Sequence, residues 1–188
     1  MDPRLNTAGP TLIVLAEHKE PVYDKSGLSL ITSSVRRPSP DVLDPKIHYC
    51  NLIQSILAKI EANHAGADDA LMLDSHGFVA ETNATHLFIV EGGSVMTSRL
   101  VACPEGITRE VVLGLCRDND IPHEVRDVSL TEVYRADELF CTGTMGELAP
   151  VTQVDGRPIG GGETGPVTQR LAKLFDACVA AEAEPVLD

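Results

Sequence analysis

Residues 70–97 read ALMLDSHGFVAETNATHLFIVEGGSVMT, and this stretch decides the fold class. Two short apolar runs, Ala70–Leu73 and Phe78–Glu81, flank Asp-Ser-His-Gly, with Gly77 closing the turn. Two more, His86–Val90 and Ser94–Thr97, flank Glu-Gly-Gly. Strand-length runs joined by such turn residues predict two antiparallel hairpins in succession.

Helical spacing lies on both sides of the hairpins. From Asn51, residues Leu52, Ile53, Ile56, Leu57 and Ile60 fall on one stripe, and Gly66 supplies a stop. Gly106-Ile-Thr-Arg-Glu opens a second helix, with Val111, Val112, Leu115 and Cys116 on its apolar side. Ser129-Leu-Thr-Glu132 has the spacing of a capping box for a short third helix. Pro166–Ala180 reads as the last one. Further strands are expected at Thr11–Ala16, Leu28–Val35, Val125–Val128, Glu138–Cys141 and Val151–Val154, and a turn at Gly160-Gly-Gly162. Pro38, Pro40 and Pro45 stiffen the connection ahead of the first helix. Hairpins mixed with helices imply an α+β fold or a mixed barrel, not a doubly wound sheet.

The chain has 188 residues, 43% hydrophobic and 23% charged, which suits a packed domain and excludes bulk disorder. Its 15 Lys+Arg against 28 Asp+Glu give a formal charge of −13, the wrong sign for a nucleic-acid or anionic-membrane surface. No apolar run approaches the roughly 18 residues of a membrane-spanning helix. The start has no secretory pattern. Five scattered cysteines form no CxxC pair, so neither a disulfide framework nor a structural zinc site is expected, and the cytoplasm is the default location. His48, His76 and His86 share no metal-ligand spacing, so no metal is assigned.

Three places could carry chemistry. At Gly106–Arg109 a loop becomes a helix, and free N–H groups there suit a phosphate, although an ordinary helix start reads the same way. Thr142-Gly143-Thr144 is a small, hydroxyl-rich turn after a strand; two such turns meeting would make a cup. Glu81 leaves an apolar strand, as either an exposed edge charge or a buried group with a cationic partner.

Taken together, these pieces resemble the large domain of class IV aminotransferases, the fold-type IV enzymes of pyridoxal 5'-phosphate (PLP), and most resemble the branched-chain group. The resemblance rests on Leu57–Asn63, Glu81–Thr85, Gly106–Arg109, Ala136–Glu138, Thr142–Glu147, Asp155–Gly160 and Gly165–Thr168, in that order. It implies a mixed, barrel-like sheet with flanking helices, residues 1–45 being an interdomain lead-in and 46–188 the PLP-binding large domain. It implies PLP as cofactor, an amino acid and a 2-oxo acid as substrates, and a homodimer. Glu81 then matches the carboxylate that keeps the pyridine nitrogen protonated. Ile107, Thr108, Gly143 and Thr144 match the phosphate grip, and Met145 and Gly146 the border of the substrate carboxylate.

The chain departs from the pattern in three respects. The family's lysine, which bonds covalently to PLP, aligns without a gap on His48, and histidine cannot form that bond. Either Lys46, two residues earlier, takes the role, or the covalent anchor is missing. His86 stands where the family usually has asparagine. The small N-terminal domain of family members is expected to be largely missing, which would leave the pocket half open or closed by another chain. The alternative to an aminotransferase is therefore a non-catalytic degenerate or truncated domain with weak or no PLP binding, serving as an interaction module.

Overall fold

The computed structural model describes residues 2–17, 22–23, 25–47 and 49–183. Its strands are β1 (Leu28–Thr32), β2 (Asp69–Leu73), β3 (Val79–Thr82), β4 (His86–Glu91), β5 (Ser94–Thr97), β6 (His123–Val125), β7 (Glu138–Gly143), β8 (Glu147–Val154) and β9 (Arg157–Pro158). They form one curled mixed sheet in the order β3-β2-β1-β8-β7-β4-β5-β6, with β9 paired to β8. Both expected hairpins are present: β2 is antiparallel to β3, and β4 to β5. β1 is parallel to β2 on one side and to β8 on the other, so the lead-in contributes an inner strand.

The helices are α1 (Pro40–Leu43), α2 (Ile53–Ala65), α3 (Ile107–Asp118), α4 (Leu130–Arg135) and α5 (Pro166–Glu182). Gly66 ends α2 in the left-handed region, φ 71, where a side chain would be strained. Ser129 caps α4 as the sequence predicts, its side chain accepting from the Glu132 N–H while Glu132 reaches back to the Ser129 N–H. Glu138 performs the same service for α5, accepting from the N–H groups of Val167 and Thr168 at 3.0 and 2.7 Å. Gly165 is required there, since a Cβ would strike the Glu138 carboxylate.

Side-chain alternation along β4 sorts the core. Leu87 and Ile89 join Leu30, Leu71, Leu139 and Val151 in one cluster. Phe88 and Val90 face the other way, against Val112 and Cys116 of α3 and Leu171 and Phe175 of α5. Phe88 and Phe140, directly paired across β4 and β7, stack with ring centroids 4.9 Å apart.

Three expectations are corrected. Thr11–Ala16 forms no strand; Leu12, Ile13, Val14 and Leu15 are each at least 75% exposed, since no described strand lies alongside to pair with them. The strand expected at Val125–Val128 runs from His123 to Val125, because its partner β5 offers Val95–Thr97 and no more. The apolar stripe of α2 also faces outward. That helix packs on β2 through Ala58 and Ala62, while Ile53, Ile56, Leu57 and Ile60 are each 45–52% exposed. Among the described residues no helix is long and apolar enough to cross a membrane.

Candidate active site

The β3–β4 connection, the start of α3 and the β7–β8 turn converge on a cavity of about 280 Å³. Glu81, Ala84 and His86 line it from the first, Pro104 to Arg109 from the second, and Thr142, Gly143 and Thr144 from the third. Sequence places these segments far apart; the sheet order makes β7 the neighbour of β4 and sets His86 opposite Thr142.

Glu81 is buried, 3% exposed, and ion-paired with Arg37, which is 9% exposed. Of the two options for Glu81, the structure therefore selects the buried group with a cationic partner. Arg37 follows β1 on a segment that runs on beside β2, its N–H donating to the Leu73 carbonyl at 2.9 Å. Its guanidinium also donates to Ser55 Oγ on α2 at 3.1 Å. The sequence reading missed Arg37. The available signal was the need of a buried carboxylate for a cation, but nothing in the local pattern named which one.

At the start of α3 the N-cap is Gly106, with no side-chain cap, so the first helical N–H groups are left to an external acceptor. The first helical bond there runs from Glu110 N to Gly106 O, at 3.0 Å. Thr108 is buried, whereas the Ile107 side chain is 77% exposed, so Ile107 can contribute through its backbone. Arg109 is buried, donates to the Ser98 carbonyl at 3.0 Å, and has its pKa lowered by burial. Thr142, which lines the same cavity, has its Oγ1 buried without a hydrogen-bond partner among the described residues. Gly143 passes close to Thr85, whose Cγ2 would lie 3.0 Å from a Cβ. Thr144 is exposed at the rim.

His86 is 6% exposed, with Nε2 2.8 Å from the Pro104 carbonyl. Burial, chiefly, pulls its pKa down to about 4; the Arg109 and Arg37 charges add to this, and the Pro104 hydrogen bond opposes it. The imidazole is therefore neutral at neutral pH.

Of the remaining sequence candidates, Met145, Gly146 and Lys46 lie outside the cavity lining. Met145 is exposed and its carbonyl accepts from Val22 N at 3.1 Å. Gly146 is buried beneath the Tyr23 ring. Lys46, in a 3-10 turn (Pro45–Ile47), is exposed, although its charge reaches the buried Cys103 thiol beside Pro104. His48 lies outside the described residues. A second, polar cavity of about 630 Å³ adjoins at Ala84, where Asp69 is matched by Tyr23 OH at 2.5 Å, Lys59 Nζ at 3.0 Å and Asn83 Nδ2 at 3.2 Å. Among the described residues no group of three or more His, Cys, Asp or Glu could hold a metal ion.

A carboxylate fixed by an arginine, together with bare helical N–H groups and hydroxyls lining the same cavity, is the donor set of a site for a cationic ring carrying a phosphate. Residues 3–154 match the family model described as amino-transferase class IV. This chain belongs to the class IV aminotransferases. It is 50% identical over 187 residues to branched-chain-amino-acid aminotransferase-like protein 2 of Arabidopsis thaliana, covering 99% of this chain and 34% of that protein. To the putative branched-chain-amino-acid aminotransferase of Methanocaldococcus jannaschii it is 40% identical, covering 93% and 61%. Among solved class IV structures, the branched-chain enzyme of Thermobaculum terrenum in its PLP form superposes with a TM-score of 0.81 at 33% identity, over 86% of this chain and 54% of that one. The Thermoproteus uzoniensis enzyme with norvaline gives 0.82 at 32% identity, over 87% and 55%. The chain thus spans about a third of the Arabidopsis relative and about half of the solved chains.

The class IV family implies PLP, and the residues present fit it. The cavity offers an acidic end for a protonated pyridine nitrogen at Glu81. The same cavity offers an unpartnered hydroxyl at Thr142 and free N–H groups at the start of α3 for a phosphate.

Proposed function

We propose that this chain is a PLP-dependent aminotransferase-like protein of class IV, moving an amino group between an amino acid, of branched-chain type, and a 2-oxo acid. The observation that carries this is one cavity lined both by the Arg37-paired Glu81 carboxylate and by the uncapped N-terminus of α3. When bound, PLP supplies an electron sink for the substrate's α-carbon.

This chain's residues supply the rest. Glu81 holds a proton on the pyridine nitrogen, and Arg37, ion-paired with it, keeps its carboxylate aimed. Ile107 and Thr108 donate backbone N–H groups to the phosphate, Thr144 adds its hydroxyl, and Gly143 leaves room for the approach. Met145 and Gly146 border the substrate carboxylate, where the Val22–Tyr23 segment lies over them. Lys46 is the candidate covalent anchor and proton carrier, with His48 at the position the family's lysine takes. Residues 46–188 form the PLP-binding unit with β1 built into its sheet. A homodimer and a cytoplasmic location complete the proposal: the outward apolar stripe of α2 supports the first, the scattered cysteines the second.

The exposure of Lys46 favours a second reading, a domain that binds PLP without covalent attachment and serves as an interaction module. Incubation with PLP, borohydride reduction and mass spectrometry separate the two. A single pyridoxyl label on Lys46 is expected for the aminotransferase; a protein that binds PLP but takes no label would be the module.

A further inference from the structure

The Pro104–Gly106 loop in front of α3 has little of its own to hold it. Pro104 has no N–H, and among the described residues neither Pro104 nor Glu105 takes part in a backbone–backbone hydrogen bond. Yet the direction of the first N–H groups of α3, and so the aim of the phosphate grip, depends on where this loop sits. The other half of the cup starts from the end of β7, where Thr142 and Gly143 are paired with β8 just before Thr144.

One residue touches both halves. The backbone of His86 pairs with Thr142 across β4 and β7. Alternation on β4 turns its side chain to the face of Phe88 and Val90, the face covered by α3. There Nε2 lies 2.8 Å from the Pro104 carbonyl. A carbonyl only accepts, so Nε2 carries the hydrogen and Nδ1 is left as acceptor. The same ring lies against Gly106, where a Cβ would come 2.5 Å from Cε1. The loop is thus tied by a hydrogen bond at Pro104 and seated by ring contact at Gly106.

We propose that His86 is a positioning residue that registers the two halves of the phosphate cup against each other, with its backbone on Thr142 and its imidazole on Pro104 and Gly106. The inference rests on the cup's being the seat of the PLP phosphate. Its chemical consequence is selectivity: His86 strengthens binding of a phosphorylated ligand and is indifferent to the ring that the ligand carries.

The test compares wild type with His86→Phe, which keeps a ring over Gly106 but loses the donor, and His86→Gln, whose Nε2 can donate. Two readouts are taken: the amide resonances of Gly106, Ile107 and Thr108 in unliganded protein, and the ratio of dissociation constants for pyridoxal and PLP. In His86→Phe the three amides should shift and the preference for PLP should fall about tenfold, with His86→Gln restored to within about threefold of wild type. If His86→Phe does not fold, His86→Met replaces it with the same expectations. Unmoved amides in the donor-less variant, equal losses for PLP and pyridoxal, or a glutamine variant no better than phenylalanine would each overturn the proposal. A wild type with no preference for PLP over pyridoxal would sink the cup's assignment to PLP phosphate, and with it the selectivity; the amide shifts would still decide whether His86 sets the loop.

Discussion

Arg37 and Glu81 are ion-paired inside the protein, one on the segment after β1 and the other on β3, with β2 between their strands. The pair also links Glu81, on the cavity lining, to α2, through the Arg37 bond to Ser55. A carboxylate so placed cannot relax into water if its partner is lost.

Replacing Arg37 alone, by Met, leaves a buried charge uncompensated and should cost about 3–5 kcal/mol of stability. Replacing both, Arg37→Met with Glu81→Leu, should cost clearly less than the sum of the singles. Urea unfolding of the four proteins measures the coupling, and an additive cycle would contradict a buried pair.

Glu81→Gln keeps the shape but removes the charge facing the pyridine nitrogen. Loss of one charge-assisted hydrogen bond should weaken PLP binding by about 10–100-fold. An absorbance titration reads this directly, and unchanged affinity would remove Glu81 from the cofactor site.

His86 gives the fold a pH signature. Its folded pKa, about 4, lies below its ordinary value of 6.5, so between these limits the unfolded chain binds more protons. The stabilisation is complete above pH 6.5 and is lost as the pH falls toward 4. Between pH 7 and pH 5 the loss should be about 2 kcal/mol. The advantage of wild type over His86→Gln, measured by urea unfolding at both pH values, should shrink by that amount.

The outward stripe of α2 predicts assembly. Ile56→Glu touches a residue 52% exposed, so it should change monomer stability by no more than about 0.5 kcal/mol. If two copies meet through this stripe, light scattering should find wild type dimeric and the variant monomeric at the same concentration.

Ser129→Ala removes the α4 capping box and should cost about 1 kcal/mol, read from the thermal midpoint with PLP affinity unchanged.

Local signals were legible where the chain solves a problem with its own neighbours. The Ser129–Glu132 cap, the Gly66 stop and the two hairpins each depend on residues a few positions apart. The Gly106 and Thr142 turns could be picked out as half-sites, and the structure brings them to one cavity. What the pattern could not supply was direction and partner. The α2 stripe has correct helical spacing, but periodicity does not say which face meets the sheet, and two alanines take the inner side. Thr11–Ala16 has strand composition, yet a strand exists only where another edge accepts its hydrogen bonds. The partnership of Arg37 with Glu81 depends on β1 lying beside β2, a fact of topology that no local spacing encodes.

The position of β1 has a kinetic consequence. Its two neighbours in the sheet come from opposite ends of the chain that follows: β2 is the next strand, whereas β8 is nearly the last, and Thr32 hydrogen-bonds Asp155 across 123 residues. During synthesis the β2–β3 and β4–β5 hairpins can form as soon as they emerge, but β1 has one unsatisfied edge until almost everything else has been made. On loop-closure entropy the β1–β8 contact should be among the last to form. The Arg37 side chain need not wait for it: its segment is held on the β2 side, through the Leu73 carbonyl, so the pair with Glu81 can form before the sheet is complete.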